Sequence, residues 1–229
     1  MKLISRYFYK LRGWVLEHLA KKKISKLEDG VYRLTFDIPY VSQYESREYA
    51  APDEYIFWAP KLCGMACFKM ILKATKLWTS DGPAAGRASD VPIVDLGKKA
   101  MAAGCYAKDP TNAKRLIGML HKPFLKFAGQ YGLAGKLLWY IGANAVAKKI
   151  LDNNFVIASV HYDIRHAGAR PESKMGHLVL VHGFEIKNGE IAGFYIHNPS
   201  GFYGISQENH FIPVDDFIHC FSGRIIVLL

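Results

Sequence analysis

Lys61-Leu62-Cys63-Gly64-Met65-Ala66-Cys67-Phe68-Lys69-Met70-Ile71-Leu72 decides how the rest of the chain is read. A Cys-Gly step opens an apolar run with helical spacing: Met65, Cys67 and Phe68, then Ile71 and Leu72. Pro60 stands three residues before the cysteine, which suits a helix beginning near 62–64 and running to about 75. A thiol at a helix N-terminus sits in a field that favours thiolate, the form that attacks carbonyl carbon. The competing reading is that a cysteine in an apolar helix is a small core residue. Which of the two applies depends on what the remaining chain supplies.

A nucleophilic cysteine needs a base, a group that orients the base, and donors for the oxyanion. His177 opens a β-branched apolar run, 177–185, and Asn198 follows another, 191–197. Asn188-Gly189 between them is a favoured two-residue hairpin turn. With that turn at the tip, Val179 lies opposite Asn198, and His177 is the diagonal neighbour on the same face. Such Cβ atoms lie about 7–8 Å apart or somewhat less, close enough for side chains to meet. A single bulge would break the inference. The same alternation puts His177 and His182 on opposite faces, against a metal site built from them. Gln43 ends a strand-like run before the cysteine helix, where a side-chain amide can donate to an oxyanion beside the nucleophile's own N–H. Each residue alone also has a plain structural reading: a satisfied histidine, a turn asparagine, a loop glutamine.

Composition bounds the classes. The chain has 229 residues, 50% hydrophobic and 13% aromatic, enough for a full core in one domain or two small lobes around a cleft. The net charge of +10 is uneven: residues 1–30 hold eight Lys and Arg against three acids, half the excess. The rest is mildly basic and carries no nucleic-acid motif. Cys63, Cys67, Cys105 and Cys220 show no Cys-x-x-Cys spacing, so neither a zinc finger nor a thioredoxin-type motif is supported. No secretory signal pattern is present, and the apolar run 131–146 is too short to span a bilayer. A reduced, cytoplasmic protein with free thiols, in contact with the membrane at most peripherally, is expected.

Residues 2–19 place Leu3, Ile4, Tyr7, Phe8, Leu11, Trp14, Val15 and Leu19 on one helical face, followed by Lys21-Lys22-Lys23. Such a face packs on its own domain, on a partner, or in a membrane interface. Residues 1–30 are therefore set apart as a basic amphipathic extension, and 31–229 as the domain. Residues 31–36 read as a strand, and 44–60 and 79–91 as loops. Helices are expected over 92–103, over 113–129 behind the turn Asp109-Pro110-Thr111-Asn112, and over 133–152. A buried strand is expected over 155–161, an exposed loop over 162–176, a helical turn over 214–220 and a last strand over 223–229. Helices first and antiparallel strands after make an α+β fold with a cleft between two layers.

Four segments in this order, Ile38-Pro39-Tyr40-Val41-Ser42-Gln43, Cys63-Gly64, Gly176-His177-Leu178-Val179-Leu180-Val181-His182-Gly183-Phe184 and Asn198-Pro199, resemble the bacteriocin-processing (double-glycine leader) peptidase-like family of the papain superfamily. The likeness runs from about 31 to 229. It implies a helical lobe, with the nucleophile helix, packed on an antiparallel sheet lobe. It implies Cys63 as nucleophile, His177 as general base and acid, Asn198 as the residue orienting the imidazole and Gln43 as oxyanion donor, with no metal and no organic cofactor. Met65 stands where many members have proline, and Asn198-Pro199 replaces a frequent Asp-Pro. The expected activity is hydrolysis of an amide in a peptide or protein. An acyl- or amine-transferring enzyme with the same acyl-enzyme, and a non-catalytic binding protein on the same fold, are the alternatives. Arg165, Arg170 and Lys174, in the loop before His177, would favour an acidic substrate.

Overall fold

The computed structural model describes residues 2–77 and 87–229. The helices are α1 (Lys2–Ile24), α2 (Pro52–Trp58), α3 (Cys63–Thr75), α4 (Ile93–Ala102), α5 (His121–Gly129), α6 (Ala143–Leu151) and α7 (Val214–Cys220). The strands are β1 (Gly30–Arg33), β2 (Tyr106–Asp109), β3 (Asn112–Met119), β4 (Gly135–Trp139), β5 (Phe155–Val160), β6 (His177–Lys187), β7 (Glu190–His197), β8 (His210–Pro213) and β9 (Phe221–Leu228). An antiparallel sheet runs in the order β4-β9-β5-β6-β7-β8, and β1 extends it beside the far half of β6. The fold is α+β and papain-like, as the residues and the resemblance predict.

Helix α3 is the core of the helical layer. Gly64 through Leu72 are all buried, and α3 packs on β6. Phe68 meets Phe124, Phe127 and Tyr131 with ring centroids 5.3–5.8 Å apart, which joins α3 to α5. The one charged residue in that stretch, Lys69, is paired with Glu48 at 2.7 Å. Glu48 also accepts the Ile93 N–H at 2.6 Å, so one carboxylate neutralises a buried cation and caps α4. Gly64 lets the layers close. A Cβ there would come within 2.9 Å of Met119 and Leu178, on β3 and β6.

Two expected helices are corrected. Residues 112–119 form strand β3, paired with β2, and α5 starts only at His121. Asp109 Oδ1 does accept the Thr111 N–H at 2.8 Å, but this local turn closes a hairpin instead of capping a helix. Residues 135–139 form the edge strand β4, and α6 begins at Ala143. The partner that decides β4 is β9, from Gly135–Leu228 to Trp139–Arg224, about ninety positions away in sequence. A short apolar run does not reveal such a partner. Within the expected loop 44–60, residues 52–58 are helix α2. The expected loop 79–91 lies largely outside the described residues; Ala88–Asp90 is a 3-10 turn.

The hairpin keeps its expected register where it matters. Lys187 opposes Glu190, and Ile186 opposes Ile191. A bulge then shifts the pairing by one, to Glu185–Gly193, and a second restores it at Val181–Ile196 and Leu180–His197. Two irregularities cancel, so His177 and Asn198 share a face after all.

Helix α1 lies against α6 and β4 through Gly13, Leu16, Ala20 and Ile24. Gly13 sits on the Tyr140 carbonyl, where a Cβ would approach to 2.3 Å. Glu17 locks the contact. Its carboxylate accepts the N–H groups of Gly142, Asn144 and Ala145 at 2.8–3.0 Å, and the Asn144 side-chain amide at 2.8 Å. A residue of α1 thus caps the N-terminus of α6, which has no cap of its own. Glu17→Ala is expected to cost about 1–3 kcal/mol, read as a lower midpoint in urea, with Glu17→Gln intermediate. An unchanged midpoint in both variants would mean that the cap contributes nothing.

Candidate active site

Cys63 is the first residue of α3. No side chain caps this helix, and its first internal bond runs from the Ala66 N–H to the Leu62 carbonyl at 2.8 Å. The N–H groups of Cys63 and Gly64 have no carbonyl partner within the helix, and both point toward the thiol. The Leu178 N–H reaches the same sulfur. All three pull the thiol pKa down, yet burial outweighs them and pushes it up. The thiolate expected from the helix field alone is therefore not the resting form. The thiol is still reachable: Cys63 is half-buried, whereas Cys67, Cys105 and Cys220 are fully enclosed.

His177 opens β6, on the strand that α3 packs against. Burial lowers its imidazole pKa to about 4, helped by the Arg165 and His161 charges and opposed by its bond to Asn198. At neutral pH the ring is uncharged. Its Nε2 lies 2.8 Å from Asn198 Oδ1 and 3.1 Å from Ser200 Oγ. Asn198 Oδ1 also accepts the Ser200 N–H at 3.2 Å, which identifies this atom as the amide oxygen. Nε2 therefore carries the proton, and Nδ1 keeps a free lone pair.

Asn198 is fully buried, and its backbone and side-chain oxygen are held, while its side-chain Nδ2 has no hydrogen-bond partner among the described residues. Its N–H donates to the Gln207 carbonyl at 2.8 Å, and its own carbonyl accepts the Tyr40 hydroxyl at 3.0 Å and the Gly201 N–H at 3.0 Å. Gln43 ties in here: its N–H donates to the Pro199 carbonyl at 3.0 Å, and its carbonyl accepts the Tyr49 hydroxyl. Its side-chain Nε2 donates to the Ala59 carbonyl at 2.8 Å, in the turn just before α3. One of its amide protons is committed there.

Cys63 and His177 line one cleft of about 400 Å³, walled by Leu116, Gly118 and Met119 of β3 and by Ser159 of β5. The structure thus brings three of the four expected residues together, with Gln43 behind the α3 N-terminus. His182 and His197 are on the other side of the hairpin, ring centroids 4.3 Å apart and tilted by 34°, with His197 bonded to the Ile38 carbonyl.

Three features went unseen in the sequence. Ser200 shares Nε2 with Asn198; an Asn-Pro-Ser triplet offers no signal beyond proximity. The β2–β3 hairpin forms a wall, hidden because 113–129 reads as helix. The basic loop is mostly spent. Arg170 pairs with Asp215 and Asp216, and Lys174 donates to the Ile218 carbonyl at 2.9 Å, so the expected three-cation attraction for an acidic substrate is corrected. Only Arg165 remains beside the site, 3.4 Å from Ser200 Oγ.

Residues 35–217 match the model of the Peptidase_C39 like family. No curated protein matches the chain. A solved structure of a putative C39-like peptidase from Bacillus anthracis aligns at 12% identity over 86% of this chain and 97% of that one, TM-score 0.53, which supports the fold. A double glycine motif protease from an AMS/PCAT transporter, solved with the leader peptide, aligns at 17% identity over 86% and 96%, TM-score 0.43.

Proposed function

The chain belongs to the Peptidase_C39 like family, and from that premise we propose that it is a cysteine peptidase with Cys63, His177 and Asn198 as its catalytic set. The observation that carries this reading is the shared cleft of Cys63 and His177, with the imidazole Nε2–H held by Asn198 Oδ1 at 2.8 Å.

The resting pair is neutral thiol and neutral imidazole, because burial raises one pKa and lowers the other. His177 Nδ1 takes the Cys63 proton as the sulfur attacks the scissile carbonyl, forming the C–S bond. The carbonyl electron pair moves onto oxygen. The Cys63 N–H and the second amide proton of Gln43 serve as donors to that oxyanion. The imidazolium returns its proton to the amide nitrogen, the C–N bond breaks and the amine leaves. Water then attacks the thioester, with His177 again as base, and frees Cys63. Asn198 keeps the ring in one tautomer and orientation throughout.

The test is incubation of the full chain with a diverse peptide mixture beside a Cys63→Ala control, read by mass spectrometry. New termini are expected with the wild type and none with the variant. Products common to both would reject the assignment, and so would amine adducts without hydrolysis, which point to acyl transfer.

A further inference from the structure

The apolar residues between Tyr7 and Leu19 that share one face of α1 are not what docks the helix. Contact with the domain is made by the opposite, narrower side, Gly13, Leu16, Ala20 and Ile24, clamped by Glu17. The aromatic-rich face is left in solvent. Tyr7 is 74% exposed, Phe8 63%, Leu11 62%, Trp14 64% and Leu19 58%. This is a contiguous stripe of large apolar side chains on a single helix, and such patches mark interaction surfaces.

Charge identifies the partner. Helix α1 contains seven Lys and Arg and one acid. That acid, Glu17, is turned inward and consumed as the cap of α6. The outward side is thus aromatic and aliphatic residues flanked by Lys21 and Lys22, with no anionic group of the helix on it. Beside it a groove of about 240 Å³ opens between α1 and α6, with Leu16, Leu19 and Leu138 on its floor and Lys23 beside it; Lys148 and Lys149, also there, pair with Asp152. Among the described residues no single helix is long and apolar enough to cross a membrane.

We propose that the outward face of α1 docks this protein on an anionic lipid bilayer, the helix lying in the plane of the interface. Trp14, Tyr7 and Phe8 enter the headgroup boundary, and the lysines meet anionic headgroups. A second copy of the chain is a poorer occupant, because face-to-face packing would set each row of lysines against its twin.

The experiment uses the full chain and sedimentation with phosphatidylcholine vesicles, with and without phosphatidylglycerol. Wild type is expected to bind vesicles containing phosphatidylglycerol at least about tenfold more tightly than neutral ones, and to release in high salt. A Leu11→Glu/Trp14→Glu variant, exposed at both positions and checked for an unchanged melting temperature, is expected to stay in the supernatant. Cys63 labelling should be the same in both proteins, which separates this proposal from the peptidase reading. Absence of wild-type binding, equal binding to neutral vesicles, or equal binding by the variant overturns it. A wild-type dimer that the variant dissociates, with no vesicle binding, also overturns it and assigns the face to a second copy.

Discussion

Replacing His177 with alanine is expected to lower kcat/KM by about 10⁴-fold or more, and almost wholly through kcat. Burial keeps the Cys63 thiol protonated, so without the Nδ1 lone pair nothing accepts its proton during attack, and nothing protonates the leaving amine. Asn198→Ala should cost less, about 10²-fold. Nε2 would still have Ser200 Oγ at 3.1 Å, so the ring loses its better anchor without being released. The steady-state constants of both variants, with melting temperatures as the control for folding, give the answer. A folded His177→Ala protein with wild-type turnover removes the histidine from the mechanism, and equal losses in the two variants would give Asn198 more than a positioning role.

Acid should destabilise this protein well before its carboxylates titrate. His177 is held at a pKa of about 4 and His182 at about 3, both mainly by burial, against an ordinary 6.5. Below that ordinary value the unfolded chain binds protons that the folded chain refuses. Stability is therefore complete above pH 6.5 and drains away as the pH falls toward 4. At pH 5 each histidine costs about 2 kcal/mol, together about 4 kcal/mol, a large share of a typical domain's stability. The melting temperature should drop by about 10 °C between pH 7 and pH 5. His177→Ala should flatten that dependence only in part, because His182 and also His121, held at about 4 by burial, still refuse protons. Identical melting at the two pH values would show that these histidines are charged in the folded state.

What the sequence disclosed follows the range of the interactions involved. Helix α3 and strand β5 were legible because a continuous apolar run between Gly, Pro or Asn breaks reports its own burial. The His177–Asn198 pairing was legible through side-chain alternation, although the outcome depended on two bulges that offset each other and that no residue pattern announced. Strands β3 and β4 were not legible. Their segments carry helix-compatible residues, and the deciding partners, β2 through a bulged hairpin and β9 about ninety positions away, act through tertiary pairing. The thiol state is not legible, because a helix terminus shows in sequence while desolvation does not. In α1 the apolar stripe is legible, but the sequence does not say which side of the helix the domain takes. A single glutamate, through the cap it supplies to α6, fixes that choice.

The most direct test of the Cys63–His177 assignment needs no substrate. Alkylation of the native protein with iodoacetamide, mapped by mass across Cys63, Cys67, Cys105 and Cys220, reports which sulfur is both reachable and activated. Modification is predicted at Cys63 alone, with a rate that climbs with pH through the neutral range, as a raised thiol pKa requires, and that falls in His177→Ala. Four thiols reacting alike, or a Cys63 rate indifferent to the loss of His177, would contradict it.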